Sequence, residues 1–223
     1  MEQMWWRSRR AMKMLTSLCV VPFLLSACAS TPARINRPAS AAPAPASTSV
    51  QALFESGRDD EVVSRVSSQA ARPEDVWFAA QSMLRMGQRD EAVRQFERLR
   101  SAAGADALQR AADVALARLG EGADALATAQ AASADFPADP YVQFEAGVTL
   151  ALRGDHAAAA QAFDAALNAS PTFAYAYYQA GLAYSRVERL DLTVARFETF
   201  ERLAPSAPER PQVDSILRTA RGR

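Results

Sequence analysis

Two cysteines, one histidine and one lysine are all that 223 residues contain of these types: Cys19, Cys28, His156 and Lys13. So small a supply of thiol and imidazole excludes a disulfide framework and a zinc site, and leaves a serine-histidine triad only one candidate base. Glycine is also sparse, with 9 residues, whereas alanine supplies 49. Because Ala costs least in a helix and Gly nearly the most, an all-α chain is expected. Neither sign of charge dominates, with 25 basic and 25 acidic side chains, which sets aside a polybasic nucleic-acid binder. A hydrophobic share of 49% is too high for a chain disordered by composition, and the length suits one domain or two small ones.

A long apolar run is missing as well. Arg7, Arg9, Arg10 and Lys13 precede an apolar stretch from Leu15 to Leu25, the layout of a secretory signal and too short to span a bilayer. The stretch closes on Leu25-Ser26-Ala27-Cys28, which resembles the lipobox of bacterial lipoproteins. The resemblance implies cleavage before Cys28, diacylation of its sulfur and acylation of the new amine. Several acyl chains hold a protein at a membrane where one binds only reversibly. Ala29 follows in place of the Asp that marks inner-membrane retention, so a periplasm-facing outer-membrane lipoprotein is expected. An ordinary signal cleaved after an A-x-A site, or a buried apolar segment, is the alternative, and Met12 or Met14 is an alternative start. Loss of residues 1–27 would remove Cys19 and leave 21 basic and 24 acidic groups, a net charge of −3.

Residues 28–49 comprise the Cys and a stretch of Ala, Ser, Thr and Pro with Ile35 as its one large apolar side chain, read as a disordered tether. Beyond it a period emerges. Pro137, Pro171 and Pro205 recur at one constant interval, and the same interval separates Gly120 from Gly154, Gly147 from Gly181, and Phe163 from Phe197. These landmarks share one phase and resemble the tetratricopeptide repeat, a helix-turn-helix unit of about 34 residues. One unit reads Tyr177, Ala180, Gly181, Tyr184, Thr193, Phe197 and Pro205; the one before reads Gln143, Ala146, Gly147, Leu150, Ala159, Phe163 and Pro171. Two weaker units precede them, Gln109 to Pro137 and Val76 to Phe96. Small residues such as Gly147 and Gly181 should let paired helices approach, and Phe163 and Phe197 should fill the gap to the next unit. The fold expected is an all-α solenoid of four to five repeats: a degenerate helical pair at 50–71, repeats over 72–205, and a capping helix in 206–223 covering the open end.

No phosphate loop, nucleophile elbow or metal-spaced cluster occurs, so no cofactor, metal or catalytic residue is assigned. Asp59, Asp60, Glu61, Asp135 and Asp139 fall at helix starts or turns, where carboxylates cap free N–H groups. The repeat resemblance implies that first helices line a concave face. Its expected lining is Trp77, Gln81, Arg110, Tyr141, Phe144, Tyr175, Tyr178 and Ser185, an aromatic stripe suited to a protein helix or extended segment. The same aromatics could equally pad neighbouring helices. A non-enzymatic adaptor follows, taking a protein partner and neither nucleic acid nor small-molecule substrate, with membrane contact through lipid alone. Its layout resembles pilotins and Tad-type assembly lipoproteins of pilus and secretion systems; a docking factor for a cell-wall enzyme is the alternative.

Overall fold

In the computed structural model the described residues are 48–67, 71–120 and 124–222. The signal, the lipobox residues Leu25, Ser26 and Ala27, the lipidation site Cys28 and nearly all of the tether lie outside them. The described residues form eleven helices and no strand: α1 (Val50–Glu55), α2 (Asp59–Val66), α3 (Pro73–Arg85), α4 (Arg89–Arg100), α5 (Asp106–Arg118), α6 (Ala125–Asp135), α7 (Pro140–Leu152), α8 (His156–Ala169), α9 (Ala174–Arg186), α10 (Leu190–Leu203) and α11 (Arg210–Arg221). No helix among them is long and apolar enough to cross a membrane.

The helices pair as α1/α2, α3/α4, α5/α6, α7/α8 and α9/α10, and successive pairs pack against one another, with α11 closing onto α10. This is the all-helical solenoid of hairpins expected from the repeat. Local chemistry sets the boundaries. Pro140 begins α7 while the Asp139 carboxylate accepts from the N–H groups of Tyr141 and Val142 at 3.0 and 2.9 Å. Asp124 caps α6 and Asp155 caps α8 in the same way. Pro171, by contrast, lies in the turn before α9 and does not open that helix.

Turns inside the hairpins need a left-handed residue. Gly154 supplies it between α7 and α8 with φ +85°, but the equivalent position one repeat later is Glu188, held at φ +58°. Packing inside the hairpins is also specific. A Cβ on Gly147 would lie 2.7 Å from the Phe163 ring, and one on Gly181 would lie 2.6 Å from Phe197. Phe163 of α8 and Phe197 of α10 therefore each seat on the glycine of their own first helix, inside the hairpin, rather than only filling the gap to the next unit.

The α5/α6 hairpin lacks that aromatic, having Ala129 where α4, α8 and α10 have Phe96, Phe163 and Phe197. Ala111, Val114, Ala129, Ala132, Val142 and Ala146 pack there as a separate small cluster, and α5 lies directly against α7. Small residues on α5 and α6 allow this approach. The inner ends of α3, α7 and α9 then meet around one continuous core running from Val50 to Ala183.

Candidate aromatic inner face

Trp77 is the centre of the inner face. It leaves no exposed surface, and its indole makes edge contacts with Phe144 on α7 at 5.4 Å and with Phe173, the residue before α9, at 5.8 Å. Tyr141 tilts against it at 5.0 Å, and Phe144 lies 5.1 Å from Phe173. Such offset and edge arrangements match the ring quadrupoles and add to the area buried. On α9, Tyr175 stacks on Tyr178 at 5.7 Å, and Tyr178 reaches Phe200 on α10 at 5.4 Å. Burial raises the Tyr141 and Tyr178 hydroxyls to about 12, so both remain neutral throughout the physiological range.

The expected groove is thus corrected in three respects. Trp77, Gln81, Phe144 and Tyr178 are buried, and Tyr141 and Tyr175 are half-buried, because α3 packs against α7 and α9 while α10 and α11 cover Tyr178. Trp77, Gln81, Tyr141, Phe144 and Tyr175 pack on the main core, and Tyr178 joins the cluster of α9, α10 and α11 through Tyr175. Arg110 is not among them: it pairs with Asp135 of α6 at 3.2 Å and with Asp113 at 3.7 Å. Ser185 belongs elsewhere too, in a cleft of about 240 Å³ between α9, α10 and α11 lined with Leu190, Thr193 and Ile216.

Two polar knots hold the inner face, and both were missed from the sequence. In the first, the wholly buried Glu145 carboxylate of α7 accepts from Trp77 Nε1 at 3.1 Å, from Gln81 Nε2, and from Arg118 Nη2 of α5 at 2.8 Å. Desolvation pushes its pKa up, partly opposed by the Arg118 charge and these donors. A lone acid inside the apolar run Phe144-Glu145-Ala146 was the available signal, since an isolated buried carboxylate persists only with partners.

The second knot joins the two ends of the stack. Arg85, at the end of α3, donates to the Phe54 carbonyl at 2.6 Å, pairs with Asp59 at the start of α2, and reaches Glu209 before α11 at 3.4 Å. Its guanidinium also lies 3.9 Å over the Phe54 ring. Asp59 is therefore an ion-pair partner and not only a helix-start acid. Nearby, Glu55 of α1 accepts from the Ala174 N–H at 3.0 Å, and burial raises its pKa. Among the described residues no group of acids, histidine or cysteine is arranged to hold a metal ion.

No protein family matches the sequence, and no curated protein does so. Among solved structures the chain is similar to TTC0263, a thermophilic TPR protein of Thermus thermophilus, at 23% identity and a TM-score of 0.50, covering 74% of this chain and 93% of that one. A crystal form of MamA from AMB-1 also matches, at 16% identity and a TM-score of 0.40 over 71% of this chain and 96% of that one. The likeness to TTC0263, with the constant repeat interval and the five hairpins, shows that this chain has the fold of a tetratricopeptide-repeat solenoid.

Proposed function

We propose that the protein is a non-enzymatic adaptor, tethered to the outer membrane through lipid on Cys28, that holds a helix of a partner protein on its aromatic inner face during assembly of an envelope complex such as a pilus or secretion system. One observation carries the reading: the start of α9 already accepts a helix, the chain's own α1, whose Phe54 lies edge-on to Tyr175 at 5.2 Å and whose Glu55 accepts from the Ala174 N–H. Repeated hairpins supply the surface; the lipobox and Pro-rich tether supply the anchor and reach.

Site-specific photo-crosslinking in the native bacterium tests it. A benzophenone side chain at Thr172, exposed just before the Ala174 N–H that Glu55 caps, is expected to trap an envelope protein that one at Glu97, on the outer helix α4, does not. No adduct, or the same adducts from both positions, overturns the adaptor reading. Fractionation tests the anchor separately: Cys28→Ala should move the protein from the membrane to the soluble periplasm, and retention would refute lipidation.

A further inference from the structure

The α1/α2 hairpin is joined to the far end of the chain by contacts between residues distant in sequence. Glu55 meets Ala174, Arg85 bridges Phe54 and Asp59 to Glu209, and Gly57 abuts Pro208 so closely that a Cβ would lie 2.6 Å from the proline ring. Helix α1 has six residues, too few to be stable alone. Its order comes from burying Leu53 and Phe54, which retain no exposed surface, with the Phe54 ring set between Phe78 of α3 and Tyr175 of α9.

The placement of Glu55 is the informative detail. A carboxylate in the last turn of its own helix opposes that helix's dipole, where acids are disfavoured. The same carboxylate sits at the first N–H of α9, whose N-terminal flank, Phe173, provides no side-chain cap. Glu55 thus costs α1 something locally and serves α9 from outside, as a ligand's acid would. Leucine, phenylalanine and glutamate in succession are the features by which this site holds a helix.

We infer that α1/α2 is a tethered, exchangeable occupant of the partner site, and that the partner helix which displaces it presents the same Leu-Phe-Glu face: two buried apolar side chains, the phenylalanine between α3 and α9, and a terminal acid on the Ala174 N–H. This rests on the adaptor reading for the existence of a partner, but the occupant's exchange is tested without one. Tethering gives α1/α2 an effective concentration in the millimolar range, so a competitor binds weakly until the tethered copy is weakened.

A fluorescein-labelled synthetic peptide of residues 48–66 serves as the probe, with binding read by anisotropy. The full chain carrying Phe54→Ala, which weakens the occupant and leaves the site intact, is expected to bind the peptide at least tenfold more tightly than the unaltered chain. A peptide with Phe54→Ala should not bind. In a Cys19→Ala/Cys28→Ala chain, Gly57→Cys with Pro208→Cys should lock the hairpin in place, because the two β-carbons lie about 3.6 Å apart, within disulfide range. The oxidised chain should lose peptide binding and recover it on reduction. If Phe54→Ala unfolds the chain by circular dichroism, Glu55→Ala, which removes the cap on α9, takes its place. Equal binding by oxidised and reduced chains, or no binding by a folded weakened chain, overturns the inference. A positive peptide result without any envelope adduct from Thr172 overturns the adaptor reading instead.

Discussion

Glu145, with no exposed side-chain surface, lies 2.8 Å from Arg118, and the pair ties α7 to α5 while Trp77 and Gln81 bring in α3. Three first helices from different hairpins therefore share one carboxylate, at the point where a more open solenoid would hold solvent. Removing one member of a buried pair leaves the other charge uncompensated, at about 3–5 kcal/mol. Glu145→Ala is expected to fall in that range in urea unfolding, because Arg118 is only 12% exposed and the indole N–H would also lose its acceptor. A loss below about 1 kcal/mol would mean that the three helices do not depend on this knot.

Gly147→Ala and Gly181→Ala pit two effects against each other. Alanine gains roughly 0.5–1 kcal/mol over glycine inside a helix. The added Cβ, however, meets a phenylalanine ring at 2.7 Å in one case and 2.6 Å in the other, and overpacking typically costs about 1–3 kcal/mol. Both substitutions should lower the melting temperature, and Phe163→Leu should rescue much of the loss at Gly147 but none at Gly181. Stabilisation by either would show that the rings shift freely.

Phe144→Ala changes meaning once the inner face is seen to be packed. On an open groove it would weaken partner capture and leave helicity untouched. Here the ring is 1% exposed and touches Trp77, Phe163, Phe173 and Tyr175, so a cavity cost of about 3–5 kcal/mol is expected. Thermal melts followed by circular dichroism should show a marked fall in stability; an unchanged melt would favour the open groove.

The closing contact of Glu55 gives a pH signature. Burial raises its pKa in the folded chain, so above the ordinary carboxylate value the native state holds a proton that the unfolded chain has released. Native proton uptake exceeding that of the unfolded chain makes stability fall as pH rises through that window, and rise on mild acidification. Glu55→Gln should flatten this dependence between about pH 4.5 and the folded pKa, as measured by melting temperature. An identical slope in the variant would assign the effect to other acids.

The hairpins were legible in the sequence because their determinants are local and periodic. Pro140 after Asp139 starts a helix, Gly154 permits the turn, and Gly147 and Phe163 recur one repeat later as Gly181 and Phe197, although the seating of each ring on its glycine came from the structure. Each requirement involves residues within one unit, so spacing alone displays it. Even the exception at Glu188 left the register intact.

Which residues meet across the inner face was not legible, since that depends on how successive hairpins turn relative to one another. The direct seating of α5 on α7, permitted by Ala129 and its small neighbours, helps bring Trp77 to Phe144 and Phe54 to Tyr175. A stripe of aromatics at first-helix positions reads the same whether it lines a groove or fills one. Composition and period by themselves determined an all-helical repeat stack, and the repeat resemblance implied an aromatic inner face. Only the tertiary structure decided that the inside is closed, that Arg110 and Ser185 lie apart from it, and that Glu145 and Arg85 hold it, because burial and ion pairing are properties of distances between repeats.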